Sequence, residues 1–282
     1  MNPVGSREAP NLKEIPVYVI NLDRRPDRWT KFSTQIAAKN FNNMKRFSAV
    51  DGSKIDINND KRISIHTKQN IENKYRRSHY EINTPGAIGA SLSHITIWKT
   101  FLASEEPYCL VFEDDTVITP KMLEIAELLI TKIPSKWDIW LLGHHRWSME
   151  SVPIASNPNG WRKVFGFTGA HAYIINRRAA TVLLEDCFPI ETHIEYYMTA
   201  SAQLKNLTII RYGSFRIPYE IEFTDEEDSD TFDTIESCPV CSIPDDYLET
   251  FIAMPKEKFY RGCIGLLAVG IVCMGAYIAH KN

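Results

Sequence analysis

Short apolar runs alternate with amphipathic segments along most of the chain, and this alternation constrains the fold more than any other feature. Each apolar run is rich in β-branched or aromatic residues and ends in polar residues, as buried strands do. We predict strands over residues 15–20, 46–50, 108–112, 138–142, 171–175 and 207–212, and helices over residues 29–38, 86–103, 121–133 and 177–184. Strands that alternate with helices predict a three-layer α/β domain with a largely parallel sheet. Residues 54–81 are polar and weakly periodic, which predicts an irregular or mobile excursion.

Composition divides the chain into four parts. Residues 1–13 are polar and predict a flexible N-terminus, and residues 14–219 hold the α/β pattern. Residues 220–249 hold 12 of the 35 acidic residues and no Lys or Arg. With so few apolar residues, the segment 220–259 is predicted to be a flexible stem. Residues 260–280 contain an uncharged apolar run long enough to span a thin bilayer, which predicts a single C-terminal transmembrane helix.

The charge and the cysteines of the chain indicate which ligands and which cellular compartment suit it. Without its acidic stem the chain is moderately basic, which suits an anionic ligand. It contains no Arg-rich helix, zinc-finger spacing or aromatic RNA-binding motif, so no nucleic-acid partner is predicted. Cys238 and Cys241 form a single Cys-x-x-Cys pair, half of a typical zinc site, and its role is left open. The cysteines do not suggest a disulfide framework, which favours a reducing compartment.

Three adjacent carboxylates follow the clearest strand of the sequence. Glu113, Asp114 and Asp115 come directly after the apolar run Cys-Leu-Val-Phe. Positions i and i+2 of a strand point the same way, so Glu113 and Asp115 are predicted to bind one cation together. Oxygen ligands favour Mg²⁺ or Mn²⁺, which substrate phosphates commonly complete. Ligands of open α/β sheets also bind beyond the carboxyl ends of the strands, where this triplet lies.

The first predicted strand ends in a highly charged loop, residues 21–28. Its arginines are suitable donors for a diphosphate, and its carboxylates and amide suit a ribose or a base.

Six segments in this order carry a resemblance to a known family. They read VYVINLDRRPDRW, FSAVDG, GAIGASLSHITIWK, CLVFEDD, WDIWLLG and GAHAYIINRRAA, and the resemblance covers roughly Ile15 to Tyr212. In this respect the chain resembles glycosyltransferase family 25, which includes lipooligosaccharide galactosyltransferases and collagen-modifying galactosyl- and glucosyltransferases.

The resemblance implies a GT-A fold (Rossmann-like, three-layer), a UDP-sugar donor, a divalent cation, usually Mn²⁺, and inversion at the anomeric carbon. It implies that a hexose, galactose or glucose, passes to a glycan or protein hydroxyl. The residues that it implies for the donor site are Asn21, Asp23, Arg28, Asp51, Ser93, His94 and Asp114. Glu113 and Asp115 match the metal motif, and Gly169 and His171 fall on the acceptor side.

Two residues, Glu191 and Glu195, are candidates for the general base. Inversion needs a base that takes the proton of the acceptor hydroxyl. The family's segment has a proline, a hydrophobic residue and an Asp, whereas this chain reads Pro189-Ile190-Glu191, followed by Glu195 before an aromatic pair. Glu195 is preferred over Glu191, because the aromatic pair resembles the family's segment. A Glu in place of Asp lengthens the side chain by one methylene, which favours the rival hypothesis of a silent, membrane-anchored binding or assembly protein.

A C-terminal anchor without a signal peptide predicts a single-pass membrane protein whose catalytic domain faces the cytosol. We expect such an arrangement in a bacterial surface-glycan enzyme or in a large cytoplasmic DNA virus that glycosylates its own components.

Overall fold

A mixed eight-stranded sheet organises the part of the chain that the structure describes. The structure is a computed structural model, and it describes residues 11–144, 150–154, 160–213 and 222–223. The strands are β1 (Val17–Asn21), β2 (Met44–Ser48), β3 (Tyr108–Glu113), β4 (Thr116–Val117), β5 (Ile139–Gly143), β6 (Glu150–Pro153), β7 (Trp161–Gly166), β8 (Ala172–Asn176), β9 (Ile209–Tyr212) and β10 (Glu222–Phe223). The helices are α1 (Pro26–Ser33), α2 (Ile65–Asn73), α3 (Pro85–Leu102), α4 (Pro120–Ile130), α5 (Arg177–Glu185) and α6 (Ile194–Leu204).

The strand order is β2-β1-β3-β8-β5-β9-β7-β6, and the expectation of a largely parallel sheet is wrong. β1 is parallel to β2 and β3, and β5 is parallel to β9. β8 lies between β3 and β5 and is antiparallel to both. A parallel neighbour needs a long crossover, usually a helix. The described residues between β5 and β8 instead form the β6–β7 hairpin, so β8 enters the sheet in the opposite direction.

Side chains alternate across the sheet and build one core on each face. Tyr18 and Ile20 of β1 join a cluster that contains the buried sides of α3, α5 and α6. Val17 and Val19 join a second cluster, which contains Phe32 of α1 and the apolar side of α4. The predicted three-layer α/β arrangement is therefore confirmed, and it fits a Rossmann-like fold.

The stretch from residue 54 to 81, expected to be irregular, contains α2. Ser64 caps this helix, since its hydroxyl accepts from the Thr67 amide at 3.1 Å. The buried side of α2 carries Thr67 and Asn70. Because both residues are polar, no apolar periodicity in the sequence indicates the helix. Lys74 forms the C-cap of α2, and its φ of 49° is left-handed.

The loop after β2 lies against the first turns of α3 at very short distances. A Cβ on Gly52 would lie 1.8 Å from the carbonyl oxygen of Pro85, and one on Gly89 would lie 2.4 Å from that of Val50. The Ser93 hydroxyl accepts from the Val50 amide at 2.9 Å and donates to the Gly89 carbonyl at 2.7 Å. These contacts fix the loop after β2 on α3.

Gly89→Ala is expected to lower the free energy of unfolding by about 2 kcal/mol, because the new methyl would meet backbone atoms that cannot rotate away. In a helix without such a contact, Gly→Ala stabilises the protein by about 1 kcal/mol. A loss of stability in Gly89→Ala would therefore report the close contact between this helix and the loop. Thermal and urea unfolding measure it. Gly213→Ala is the matched control, because its Cβ would meet only the Arg211 guanidinium, at 3.0 Å. Equal unfolding midpoints for wild type and Gly89→Ala would contradict the prediction.

The C-terminal predictions fall mostly outside the described residues. These include the anchor at residues 260–280, the Cys238–Cys241 pair and most of the stem at residues 220–259. Among the residues that are described, no helix combines the length and apolarity needed to cross a membrane. Glu222–Phe223, inside the predicted stem, pair with β4. All described residues belong to a compact unit that spans residues 1–233, past the expected domain end at 219.

Candidate active site

A cleft of about 400 Å³ opens where β1, β2 and β3 end and α3 begins. Seven of the residues predicted from the sequence line it, namely Arg28, Asp51, Ser93, His94, Glu113, Asp114 and Asp115. Arg24, Lys74 and Thr84 line it as well. The cleft lies at the carboxyl edge of the sheet, which agrees with the position expected for a ligand of an α/β fold.

Asp114 turns inward and connects three elements. Its side chain accepts from Asn21 Nδ2 at 2.5 Å and from Arg28 Nη1 at 3.2 Å. Burial raises the pKa of Asp114, and the bonds from Asn21 and the charge of Arg28 act against that rise. The middle carboxylate of the triplet thus joins the ends of β1 and β3 to α1.

Asn21 and Asp23 do not line this cleft, in contrast to the expectation for donor residues. Asn21 is buried; its amide group donates to the Arg25 carbonyl and to Asp114, and its oxygen accepts from Arg46 Nε at 2.6 Å. Asp23 accepts from Arg46 at 2.8 Å and from Ser48 at 2.7 Å. Because protein groups bind these side chains, they hold the loop after β1 in place.

Glu113 and Asp115 are the residues that fit a divalent cation. Burial, and then the charges of Glu113 and Asp114, raise the pKa of Asp115 to about 7. A cation between the two carboxylates would relieve this repulsion. Among the described residues, no group of three or more His, Cys, Asp or Glu side chains is arranged to hold a metal ion. A cation here would therefore need oxygen ligands from phosphate or water, as Mg²⁺ sites commonly use.

Asp51 presents a fixed negative charge to the cleft. Its carboxylate accepts from the amide and hydroxyl of Ser53, at 3.1 and 2.6 Å. The Ser53 hydroxyl bond is the main cause that lowers the pKa of Asp51, and Arg24 and Lys54 contribute. An ionised carboxylate on a loop of fixed geometry is well suited to accept from ribose hydroxyls or a base N–H.

His94 is fully buried, and both of its ring nitrogens are engaged. Nδ1 lies 2.8 Å from the Tyr173 hydroxyl, and Nε2 lies 3.2 Å from Oε1 of Glu113. His94 lines the wall of the cleft behind Glu113, which its imidazole contacts.

The two candidate bases occupy different places. Burial, and then the charge of Glu113, raise the pKa of Glu195 to about 7, and the backbone amide of Gly169 lowers it. Glu195 lies in the first turn of α6, where it accepts from the Gly169 amide and interacts with the charge of Glu113. Glu191 is exposed and borders another cavity, of about 210 Å³, together with Ser91. Glu195 is therefore the candidate base that interacts with the charge of Glu113.

The two predicted acceptor-side residues act through their backbone. Gly169 has a φ of 78°, a left-handed conformation that glycine adopts without strain. His171 is buried, and its carbonyl accepts from the Glu113 amide and from the Thr116 hydroxyl, each at 2.9 Å. His171 thereby fixes the end of β3 from which the acidic side chains project.

The segment that supports Glu195 contains a half-buried histidine. His193 precedes α6, and its amide donates to the Tyr80 carbonyl at 3.1 Å. Burial, assisted by the charge of Arg76, lowers the pKa of His193 to about 4.

His193→Gln is expected to flatten the pH dependence of stability between pH 7.5 and 5. The unfolded chain binds a proton at His193 near pH 6.5 and the folded chain only near pH 4. Wild type should therefore lose about 1–2 kcal/mol more than the variant over this window as the pH falls. Urea unfolding at the two pH values measures the difference, and parallel curves would contradict the assignment.

Comparison with known proteins identifies the family. The sequence model described as "Glycosyltransferase family 25 (LPS biosynthesis protein)" matches residues 14–198, more than half of the chain. The chain belongs to glycosyltransferase family 25. The match covers every residue of the cleft and both candidate bases, so the family 25 region and the candidate active site coincide.

The names of the relatives of this family 25 chain describe some as transferases and others as inactive. A "Glycosyltransferase 25 family member" of Drosophila pseudoobscura is 25% identical over 77% of the chain. "Procollagen galactosyltransferase 2" of Mus musculus is 27% identical over 51%, and a "Probable inactive glycosyltransferase 25 family member 3" of Bos taurus is 26% identical over 49%. The matches span 37% of the fly protein and 23% of each of the others.

Lys74 and Tyr173 belong to the family 25 site but were not recognised from the sequence. Lys74 lies in the polar stretch that shows no periodicity, and no local pattern indicates that it reaches the cleft. Tyr173 belongs to the motif GAHAYIINRRAA, but its contact with His94 depends on packing between β8 and α3. The only available signal was a tyrosine inside an otherwise apolar strand, which in a buried position requires a hydrogen-bond partner.

Proposed function

We propose that the chain is a metal-dependent inverting glycosyltransferase with a GT-A fold. It would move a hexose, galactose or glucose, from a UDP-sugar to a hydroxyl of a glycan or protein. The observation that carries the proposal is the electrostatic interaction of Glu195 with Glu113, a residue that lines the cleft together with Asp115 and basic side chains. This interaction supports an active site in which Glu113 serves the leaving group and Glu195 serves the acceptor.

The cleft has the size and charge that a sugar nucleotide needs. Its volume of about 400 Å³ lies within the range of small-molecule sites. Arg24, Arg28 and Lys74 would bind the diphosphate. Asp51, on the loop held by Ser93 and Gly89, would bind the uridine.

Glu113 and Asp115 would hold Mn²⁺ or Mg²⁺, which, when bound, neutralises the charge that develops on the departing UDP. Glu195 would take the proton from the acceptor hydroxyl as its oxygen approaches the anomeric carbon. A base with a pKa near 7 is well matched to work at neutral pH. The Gly169 amide would hold the carboxylate in place through this transfer.

The second candidate is a silent fold that serves as a membrane-anchored binding or assembly protein. The inactive relative in Bos taurus favours it, as does the Glu in place of the family's Asp. In either case residues 260–280 would anchor the chain with the α/β domain in the cytosol. Protease treatment of microsomes tests this arrangement, and a fully protected domain would overturn it.

The deciding experiment is UDP release by the full chain in detergent, with a panel of UDP-sugars, glycan and peptide acceptors, and added or chelated Mn²⁺. Release from one donor that requires Mn²⁺ would establish the enzyme and identify its sugar. Binding of each UDP-sugar is measured in parallel by calorimetry. A chain that neither releases UDP nor binds any UDP-sugar would favour the silent fold.

A further inference from the structure

A line of hydrogen bonds runs from the core of the domain to the acidic pair. Trp98 Nε1 donates to the Tyr173 hydroxyl at 2.9 Å, and that hydroxyl lies 2.8 Å from His94 Nδ1. His94 Nε2 lies 3.2 Å from Oε1 of Glu113. Trp98, Tyr173 and His94 are each 0% exposed, whereas the Glu113 side chain is 32% exposed. Glu113 is thus the point at which a buried polar network meets the cleft.

The direction of each bond follows from a count of protons. An indole N–H can only donate, so the Tyr173 oxygen accepts from Trp98. The Tyr173 hydroxyl then has one proton, and His94 Nδ1 is the partner placed to accept it. Burial raises the pKa of Tyr173 well above its usual range, which keeps this proton in place. With Nδ1 as the acceptor from Tyr173, the ring proton of His94 lies on Nε2, which donates it to Glu113.

We propose that Tyr173 and His94 are positioning residues for Glu113: the phenol orients the imidazole through Nδ1, and the Nε2–H holds the carboxylate in the orientation that a divalent cation needs. The inference rests on the metal role given to Glu113 in the proposed function. Carboxylate ligands are commonly held by such outer hydrogen bonds, and loss of one typically lowers metal affinity 10- to 100-fold.

Electrostatics explain why Glu113 needs this support. The charges of Glu113 and Asp115 repel each other across the site. A partly exposed glutamate can relieve that repulsion by rotating toward water, away from the position of the cation. The bond from His94 opposes the rotation, and Tyr173 prevents the imidazole from turning with it. These hydrogen bonds thus orient Glu113 before any ligand binds.

The test uses the full chain and two readouts. Nitrogen-15 NMR at about pH 8, with the His94 signals assigned by their absence in His94→Leu, reports which ring nitrogen carries the proton without any metal. Free Mn²⁺ measured by electron paramagnetic resonance gives the affinity of each variant for the ion. Tyr173→Phe and His94→Leu should lower Mn²⁺ affinity 10- to 100-fold. His94→Gln, whose amide can still donate toward Glu113, should recover part of it.

Trp98→Phe separates positioning from packing. This variant loses a core hydrogen bond and should unfold at a lower temperature, but Tyr173 still donates to His94, so Mn²⁺ affinity should stay within about twofold of wild type. Equal loss of affinity in Trp98→Phe and Tyr173→Phe would overturn the inference, as would a proton on Nδ1 in the wild type. A wild type that carries the Nε2 proton but binds no Mn²⁺ would overturn both the metal role and the positioning assigned here.

Discussion

Glu195→Gln is expected to lower the rate of sugar transfer about 10³-fold while UDP-sugar binding changes little. The amide keeps the shape of the side chain and can still accept from the Gly169 amide, but it cannot take a proton. Glu195 interacts with the charge of Glu113 but is not among the residues that line the donor cleft, so the loss should fall on kcat with the donor KM nearly unchanged. Steady-state kinetics with the donor identified by UDP release, together with calorimetric binding, measure both quantities.

Glu191→Gln is the matched control for this prediction. Glu191 is four residues earlier, carries the same side chain, and borders a cavity other than the donor cleft. Its variant should retain most of the wild-type rate. The reverse pattern, with Glu191→Gln inactive and Glu195→Gln active, would move the base to Glu191. Two active variants would mean that neither glutamate is the base.

The parts of the fold that the sequence predicts are those encoded by local pattern. Strands β1, β3 and β5 are continuous apolar runs, and α3 carries apolar residues at helical spacing, so their positions follow from periodicity. The direction of β8 depends on the β6–β7 hairpin that precedes it, and no residue of β8 indicates it. α2 was missed because Thr67 and Asn70, which form its buried side, are polar.

The candidate site also contains some residues that local pattern predicts and others that depend on the fold. Glu113 and Asp115 directly follow a recognisable strand, so their shared location is predictable from the chain alone. Glu191 and Glu195 cannot be ranked from their spacing, because the start of α6 at Ile194 decides which one approaches Glu113. The role of Tyr173 depends on its pairing with Val111 across β3 and β8, a contact between distant parts of the sequence.

Asp115→Asn is expected to abolish most Mn²⁺-dependent transfer, a loss of about 10³-fold, because a cation that stabilises the leaving group contributes several kcal/mol. The same change should stabilise the metal-free protein by about 1–2 kcal/mol, since it removes one of three adjacent negative charges from a poorly solvated site. Loss of activity together with gain of stability is typical of a functional residue whose own placement is unfavourable. Transfer assays and urea unfolding in the presence of a chelator measure the two effects.

Asp114→Asn provides the control, because the neighbouring carboxylate forms an ion pair with a buried arginine. Asp114 accepts from Asn21 and from Arg28, so its replacement removes the ion pair with the buried Arg28. This variant should lose about 2–3 kcal/mol of stability in the absence of metal. Two carboxylates adjacent in the chain would then shift stability in opposite directions, an outcome that general loss of acidic charge cannot produce. If Asp115→Asn were also destabilised without metal, or kept its Mn²⁺-stimulated transfer, the assignment of Asp115 as a metal ligand would be wrong.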